Sequence, residues 1–553
     1  MRWHRDAAFT RLMRPNIVWL SMEDTSPRYG CYGDRLAVTP TCDRLAAEGV
    51  RFERAFSTAP VCAPARHAVI TGTHAVTSGA HHMRTLFMVD PVGGPRPVPG
   101  YSVVTPPHVV PLPTLLRMAG YHCTNDSKTD YQFDPPAAMW DACEPGAHWR
   151  GRADGQPFFA VFNPTFSHES GLWDDPPPYN PDLCPEALQP DPADVAVPPY
   201  LVDGPRTRRC IARQYGNVRR DDDVFGEVVA QLESDGVLED TVIFVWSDHG
   251  EGLPRAKRWL YDAGLRVPLI VRVGRNVPGW ERLAPAGGVR RDVVSTIDLM
   301  PTVLKLCGLD VPRHLPGVDL LAGGRRYAFG TRDRLDSAYD KQRAVTDGRF
   351  KLIRHDTPER PMLQWMPYSN TVGAMDELWR AELAGELRPE QRQLFEPRPV
   401  LELYDTDADP HELTNLADHA DLAEKRAELL DVLDGWCRRY DRYGDVPEAQ
   451  MVATWWGGAD HPPATAEPIV VVFAADDTTG LNFGDGAAAV GEPCRVMLHC
   501  NTQGAQLEYR ADGGRWRVYA GPFVIDRTTT IEARASRIGF TDSDVVNRTV
   551  TVT

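Results

Sequence analysis

The sequence predicts an α/β sandwich followed by two smaller β-rich units. Short apolar runs that do not alternate with polar residues are typical of strands buried on both faces of a sheet. Amphipathic helical segments lie between these runs, and such alternation of strands and helices is typical of an α/β sandwich. The four clearest runs are NIVWL (Asn16–Leu20), PFFAVFN (Pro157–Asn163), TVIFVW (Thr241–Trp246) and VPLIVRV (Val267–Val273).

The helices of this unit carry recognisable end signals. In TPTCDRLAAEGV, Thr39 is placed as an N-cap, Pro40 suits the first helical position and the helix is expected to end at Gly49. The segments PLPTLLRMAG and DDDVFGEVVAQLESDG show a similar pattern. By contrast, the proline- and aspartate-rich region Asp174–Pro205 predicts a long surface excursion.

The pattern changes from about Arg325. YAFGTRD, RAVTDGRFKLIRH and VLELYD predict a small antiparallel sheet, followed by the helix DLAEKRAELLDVLDGWCRRY. The last segment alternates with period two and has Asp-Gly and Gly-Pro turns, which predicts a β-sandwich. We therefore expect an α/β unit at 14–324, a sheet-and-helix unit at 325–448, a linker at 449–467 and a β-sandwich at 468–553.

Composition narrows the functional classes. The net charge of −16 argues against non-specific binding to nucleic acid or to an anionic membrane, so an anionic substrate needs a local basic pocket. The run IVWL near the N-terminus is too short for a signal-peptide core, which predicts a cytoplasmic protein, or a periplasmic or secreted one if the start site is misassigned. Eleven cysteines without a CxxC pair argue against a disulfide framework or a zinc knuckle.

Acidic residues follow two of the predicted strands. Glu23 and Asp24 come directly after the first strand, and Asp248 and His249 follow the strand at Thr241–Trp246. Ligands of open α/β sheets bind beyond the carboxyl ends of the strands, and oxygen-rich clusters suit Ca²⁺ or Mg²⁺. Either pair alone is better explained as a cap of the next helix. Two such pairs, far apart along the chain, favour a metal site.

The stretch VCAPARHAVITG places a thiol beside a cation at a predicted helix start. A helix N-terminus and the nearby Arg66 both favour an anion, and both lower the pKa of a thiol. Cys62 is therefore either an inert buried cysteine, which is the commoner fate, or a thiolate nucleophile.

A further interpretation follows from resemblance to a known family. The C-x-P-x-R spacing at Cys62, followed by HAVITG, resembles the motif of type I (formylglycine-dependent) sulfatases, in which that cysteine is oxidised to formylglycine. RPNIVWLSMEDTSPRYGCYGD and DTVIFVWSDHGEGLPRAKRWLYDAGLRVPLIVR resemble the two metal-binding segments of the family, and STIDLMPTVLKLCGL and ELYDTDADPHELTNLA resemble later landmarks. The likeness covers roughly residues 14–445. It implies an alkaline-phosphatase-like sandwich with a large, mostly parallel central sheet.

The resemblance also implies roles for individual residues. Cys62 would be the formylglycine precursor, matured by a formylglycine-generating enzyme, and Arg66 its stabilising partner. Lys128 falls on a sulfate-binding lysine, His168 on a sulfate-contacting histidine and Lys257 on a lysine near the leaving group. The metal, most often Ca²⁺, would be held by Glu23, Asp24, Asp248 and His249.

The sequence departs from the family pattern at four positions. Glu23 stands where aspartate is usual, His249 where asparagine is also common, and Asp130 where many members carry a histidine. Ala65 replaces a frequent serine. Nearby, His81, His82 and Arg84 in SGAHHMRT either line a substrate pocket or form a polar turn.

The substrate and the rival functions complete these expectations. Segments after residue 250 look most like the heparan N-sulfatase (sulfamidase) branch, and the tail resembles the C-terminal β-sandwich of chitobiases. The first likeness suggests a sulfated or N-sulfated sugar and leaves aryl and other sulfate esters open, and the tail agrees with a carbohydrate substrate. The alternatives are a phosphonate monoester or phosphodiester hydrolase of the same superfamily, and a glycan-binding protein without turnover.

Overall fold

The protein is described from a computed structural model covering residues 14–86, 100–177, 180–336, 338–474, 489–490 and 494–552. The N-terminal stretch on which the localisation depends lies mostly outside these residues, as do parts of the predicted β-sandwich. No helix among the described residues is long and apolar enough to cross a membrane.

An eight-stranded sheet forms the centre of the α/β unit. Its spatial order is β4-β3-β5-β1-β6-β7-β2-β8. All neighbours pair in parallel except β7, which runs antiparallel to β6 and β2. The four predicted strands are confirmed. The strands are β1 (Asn16–Met22), β2 (Val50–Phe56), β3 (His122–Asp126), β4 (Ala142–Cys143), β5 (Phe158–Phe162), β6 (Thr241–Ser247), β7 (Leu269–Val273) and β8 (Gly288–Ser295).

Helices cover this sheet and continue into the C-terminal part. Those of the described residues are α1 (Pro40–Glu48), α2 (Cys62–Thr71), α3 (Ala75–Ser78), α4 (Leu112–Met118), α5 (Pro205–Ser234), α6 (Asp262–Leu265), α7 (Trp280–Leu283), α8 (Leu299–Leu306), α9 (Pro367–Asn370), α10 (Gly373–Ala384), α11 (Pro389–Arg392), α12 (Ala423–Tyr440) and α13 (Glu448–Trp455). Short 3₁₀ turns occur at Gly30–Tyr32, Trp149–Gly151, Glu169–Leu172, Glu186–Leu188, Leu238–Asp240, Thr296–Asp298 and Ala420–Leu422.

The structure places Thr39 at the N-cap of α1 as predicted, but it refines how this helix is capped and corrects the start of another helix. α1 begins at Pro40 as expected, but the Thr39 side chain makes no cap hydrogen bond. Asp222 supplies the cap instead, because its carboxylate accepts hydrogen bonds from the backbone N–H groups of Thr41 and Cys42. The acidic run that suggested a helix start therefore lies inside α5, which begins at Pro205.

The predicted antiparallel sheet and its helix are confirmed. The sheet has the order β12-β11-β10-β9, and α12 packs on it through Leu429, Leu433 and Trp436. Its strands are β9 (Ala328–Leu335), β10 (Ala338–Thr346), β11 (Phe350–His355) and β12 (Leu401–Asp405).

The C-terminal tail forms two small sheets that share one apolar cluster. Buried contacts fix the tail to the α/β unit, for example an ion pair between Arg117 and Glu508 with N–O 2.9 Å. Within the predicted linker 449–467, helix α13 packs Met451 and Val452 against the α/β unit. The domain boundaries themselves stay a prediction. The tail strands are β13 (Ile469–Ala474), β14 (Ala489–Val490), β15 (Cys494–His499), β16 (Gln506–Ala511), β17 (Arg517–Val518), β18 (Phe523–Ile525), β19 (Thr529–Ser536) and β20 (Val546–Val552).

A buried ion cluster stabilises the antiparallel sheet. The Asp340 carboxylate pairs with Arg332 and with Arg398 (2.8 Å), and all three side chains are almost fully buried. Burial alone would raise the pKa of Asp340, but the two guanidinium groups hold it well below its usual range. The carboxylate therefore compensates two buried cations.

We expect Asp340→Asn to lower the free energy of unfolding by about 3–5 kcal/mol, because it leaves two buried guanidinium groups undercompensated. Since the folded-state pKa lies below the unfolded value, this difference should shrink as the pH falls below about 4. Urea denaturation at several pH values measures it, with the exposed Asp421→Asn as control. An Asp340→Asn protein as stable as the wild type would contradict the prediction.

Candidate active site

The predicted strand-end acids meet at one edge of the central sheet. β1 and β6 are parallel neighbours in register, with Met22 opposite Ser247, so the residues that follow each strand emerge together. The Asp24 backbone N–H donates to Asp248 Oδ1 at 3.2 Å, and the side chains of both residues are fully buried. The two pairs therefore form one acidic cluster.

The donor set of this cluster fits a hard divalent cation. Ligand atoms of Asp24, Cys62, Asp248 and His249 lie within 4.8 Å of one another, and those of Glu23, Asp24, Cys62 and His168 form an overlapping group. Three carboxylates in one buried cluster are the oxygen ligands that Ca²⁺ and Mg²⁺ prefer. The His249 Nδ1 faces the Gly250 carbonyl at 2.9 Å, which directs Nε2 toward the cluster as a further donor.

Cys62 opens helix α2 and points into the same cluster. Its N-cap residue Val61 is extended, and Cys62 Sγ lies 3.2 Å from His249 Nε2 and 3.9 Å from Asp24 Oδ1. Burial raises the pKa of the Cys62 thiol well above its ordinary value, and the charge of Lys257 does not offset this. The expectation of a lowered thiol pKa was wrong, because burial of the thiol outweighs the charges of Lys257 and Lys128, and the carboxylates of Asp248 and Asp24 act in the same direction as burial. The thiolate interpretation loses its support.

Arg66 is the cation that ties the cluster together. One turn after Cys62, its guanidinium contacts Glu23, Asp248 Oδ2 (3.3 Å) and Asn163 Oδ1 (3.1 Å). Burial would raise the pKa of Glu23, but the charges of Arg66 and Lys128 lower it to about 2. Arg66 therefore helps to keep the buried Glu23 carboxylate ionised.

Three further predicted residues surround Cys62. Lys128 Nζ lies 2.8 Å from Glu23 Oε2, and Lys257 Nζ lies 2.7 Å from Asp24 Oδ2. His168 belongs to the overlapping group described above and is partly exposed. Its Nδ1 accepts from the Ser170 N–H at 3.3 Å and lies 2.8 Å from Ser170 Oγ, an arrangement that favours the tautomer with the ring proton on Nε2. Lys128, Lys257 and His168, called the basic rim below, thus surround the acidic cluster of Glu23, Asp24 and Asp248.

The structure separates the remaining candidates. The Arg84 guanidinium pairs with Asp336 at 2.7 Å and stacks 4.0 Å from the Tyr368 ring. Tyr368 is also a ring neighbour of His168, with centroids 6.2 Å apart, which places Arg84 beside the cluster. His82 packs instead against its neighbour His81, with ring centroids 4.1 Å apart, and no contact of the two rings with the cluster is observed among the described residues.

Three residues of the site were missed by the sequence reasoning. Glu169 receives two hydrogen bonds from Arg258 (2.6 and 2.7 Å) and pairs with Lys257 at 3.2 Å. Asn163 bridges Arg66 and Asn125. Asn163 could have been found, since it ends a predicted strand as Glu23 and Asp248 follow theirs. The Glu169–Arg258 pair gives no local signal.

Backbone strain concentrates around the same cluster. Asp24, Arg84, Asp130, Arg258 and Asp336 have φ values of 49°, 60°, 53°, 81° and 48°, in the left-handed region that non-glycine residues avoid. Strain of this kind persists where surrounding contacts impose it and is common at functional sites. Arg84 and its ion-pair partner Asp336 therefore share a left-handed backbone conformation with Asp24, one of the predicted metal ligands.

The fold and the site define the class of the protein. A mostly parallel sheet covered by helices, with an acidic cluster, a helix-start cysteine and basic side chains at the strand ends, matches the alkaline-phosphatase-like fold. The family model described as Sulfatase matches residues 15–140 and 141–309. The chain belongs to the sulfatase family. Members generally use formylglycine and a divalent metal.

Relatives with known names support this membership. The chain is 35% identical to the ulvan-active sulfatase of Formosa agariphila over 575 residues, which cover 96% of this chain and 91% of that protein. It is 27% identical to the human N-sulphoglucosamine sulphohydrolase, over 76% of this chain and 89% of that protein.

Solved structures share the fold. A putative sulfatase from Bacteroides thetaiotaomicron superposes with a TM-score of 0.55 at 19% identity, covering 78% of this chain and 94% of that one. A phosphonate monoester hydrolase of Agrobacterium radiobacter superposes with a TM-score of 0.53 at 19% identity, covering 77% and 96%. The architecture is therefore common to both kinds of hydrolase.

Proposed function

We propose that the protein releases sulfate from a sulfated sugar, with Cys62 converted to formylglycine and Ca²⁺ held by Glu23, Asp24, Asp248 and His249. One observation carries the proposal. In a member of the sulfatase family, the side chain of Cys62 belongs to two overlapping groups of ligand atoms, which together contain Glu23, Asp24, Asp248 and His249. Lys128 and Lys257, each paired with a carboxylate of that cluster, flank it.

The two absent groups would supply the nucleophile and the charge. A formylglycine at position 62 would supply, as its hydrate, a nucleophile that can be regenerated, and a dication held by Glu23, Asp24, Asp248 and His249 would stabilise the negative charge of the sulfuryl group. A plain thiol could not regenerate itself in this way.

The position of each side chain around Cys62 suggests its role in binding the substrate, stabilising charge or donating a proton. Arg66 holds Glu23 and Asp248 in place and keeps positive charge beside residue 62. Lys128 and the Nε2–H of His168 are placed to bind sulfuryl oxygens, where preorganised donors stabilise developing charge. Lys257, whose Nζ lies 2.7 Å from Asp24 Oδ2, is the candidate proton donor to the departing atom. Arg84 binds the sugar at the rim.

The substrate class rests on the relatives. The Formosa agariphila protein, named as ulvan-active, matches almost the whole chain including the tail, which favours a sulfated polysaccharide or an oligosaccharide derived from one. The human relative is named for N-sulphoglucosamine and is less similar to this chain, so an N-sulfated sugar is the second candidate substrate. The leaving atom is then a sugar oxygen or nitrogen, either of which needs a proton.

Sulfate release from O-sulfated and N-sulfated sugars tests the proposal, with an aryl phosphodiester assayed in parallel. We expect a higher kcat/KM on the sulfated substrates. A higher kcat/KM on the diester would favour the hydrolase represented by the Agrobacterium radiobacter structure. Binding of sulfated sugar by fully modified protein, without any release of sulfate, would support a binding protein instead.

Lys257→Ala should lower the activity on substrates with poor leaving groups much more than the activity on substrates with good ones. We expect kcat to fall about 10²–10⁴-fold for a sugar sulfate, whose oxygen needs a proton, and much less for an aryl sulfate with an acidic phenol. Steady-state kinetics on both substrates measure the ratio, with the exposed Lys305→Ala as matched control. Equal losses on the two substrates would remove Lys257 from the proton-donor role.

A further inference from the structure

A polar cavity that is separate from the Cys62 cluster lies at the junction of the central sheet and the antiparallel sheet. Its volume is about 130 Å³, far above the roughly 10–15 Å³ that one water needs. The wall is formed by the ends of β2 and β8, the residues around α6, and the turns after β10 and β12. The lining residues are Glu53, Arg54, Phe56, Asp262, Arg266, Arg291, Gly348, Thr406 and Asp407. None of the predicted site residues lines it.

The three carboxylates of this cavity are already engaged by cations. Glu53 pairs with Arg51 (3.1 Å) and Arg291 (2.9 Å), and Asp407 pairs with Arg54 (3.1 Å). The third, Asp262, pairs with the buried Lys351 behind the wall, and Lys351 also contacts Glu412 at 3.2 Å. The lining guanidinium groups are those of Arg54, Arg266 and Arg291, and they match the three lining carboxylates in number. Since Arg51 and Lys351 also pair with these carboxylates from outside the wall, the carboxylates are satisfied without Arg266.

Arg266 is the cation without a carboxylate. Its Nε donates to the Glu53 carbonyl at 3.0 Å, and its two terminal nitrogens make no hydrogen bond or ion pair with the described residues. A guanidinium with two free nitrogens presents a planar fork that matches the oxygens of an oxyanion. On another part of the wall, Gly348 makes room for the Arg54 side chain, since a Cβ there would meet Arg54 at 3.0 Å and Val293 at 2.7 Å.

We propose that this cavity binds a sulfate group, with Arg266 as the principal donor and Arg54 and Arg291 as flanking cations. The choice of sulfate among oxyanions rests on the proposed function, which releases inorganic sulfate and acts on sulfated sugars. The ligand is therefore either free sulfate or a sulfate substituent of the polysaccharide. Its site differs from the Cys62 cluster, although Phe56 precedes the loop that leads to Cys62.

Equilibrium dialysis of the full chain against labelled inorganic sulfate tests the site. We expect two binding sites in the wild type, one of which weakens at least tenfold in Arg266→Gln and the other in Lys128→Ala. Arg291→Gln, at a side chain 76% exposed, should weaken the first site severalfold without disturbing the fold. Arg313→Ala, at an exposed arginine, is the control and should keep both sites. Unchanged binding in Arg266→Gln and Arg291→Gln would overturn the proposal.

Dextran sulfate distinguishes the two sources. If a substituent of a polymer is the ligand, Arg266→Gln should weaken retention on dextran sulfate at least threefold. If free sulfate is the ligand, retention stays the same while binding of inorganic sulfate is lost. Turnover of a small aryl sulfate should be unchanged in Arg266→Gln. A protein that releases no sulfate but loses one site in Arg266→Gln would contradict the proposed function and support the cavity.

Discussion

Cys62→Ala is expected to abolish sulfate release, with a loss of kcat on the order of 10⁴-fold or more, because it removes the precursor of the nucleophile. The predicted metal ligands Glu23, Asp24 and Asp248 and the surrounding cations are unchanged in this variant, so we expect the protein to keep its fold. Removing one small buried side chain costs about 1–2 kcal/mol of unfolding free energy. Release of sulfate from a sugar substrate, measured on protein with an unchanged circular dichroism spectrum, is the readout.

Cys307→Ala is the matched control for this experiment. Cys307 is buried in the apolar core at the end of α8, away from the acidic cluster, with the Tyr121 hydroxyl as its polar neighbour. The control should lose a similar amount of stability and keep its activity. Retained turnover in Cys62→Ala, or equal losses in both variants, would show that Cys62 has no chemical role.

Removal of the divalent cation is expected to have the second-largest effect, a loss in kcat of about 10³-fold or more. Without the ion, three carboxylates remain crowded in one buried cluster. Chelation should therefore also lower the melting temperature, and Ca²⁺ should restore both stability and activity. Elemental analysis of the purified protein should find one divalent ion per chain.

Asp248→Asn tests the same site without a chelator. It removes one negative charge from the ligand set, so the bound ion should be lost at concentrations that saturate the wild type. Asp431→Asn, on the exposed face of α12, is the matched control and should keep the ion. A full complement of metal and activity in Asp248→Asn would rule out this ligand set.

Much of the site was predictable because its ligands lie next to regular strands. Glu23 and Asp248 follow long apolar runs, and parallel strands bring their carboxyl ends to one edge of a sheet. Cys62 and Arg66 lie one helical turn apart, so their proximity follows from local geometry. The resemblance to the sulfatase family then linked these local signals to Lys128 and the other distant cations.

The parts that sequence reasoning missed depend on partners far along the chain. Asp222 caps α1 across 180 residues, and Asp221 accepts from the backbone of Ser167, so acids that resemble a local helix start serve other segments. The pKa of Cys62 was predicted with the wrong sign because burial, which no local pattern reveals, dominates it. Glu169 and Arg258 find each other only in the folded protein.

The measurement that tests the central claim most directly is mass spectrometry of the peptide containing Cys62, from active protein isolated from its native host. The account predicts an aldehyde at position 62, in proportion to the specific activity of each preparation. An unmodified thiol in a preparation that releases sulfate at full rate would contradict it.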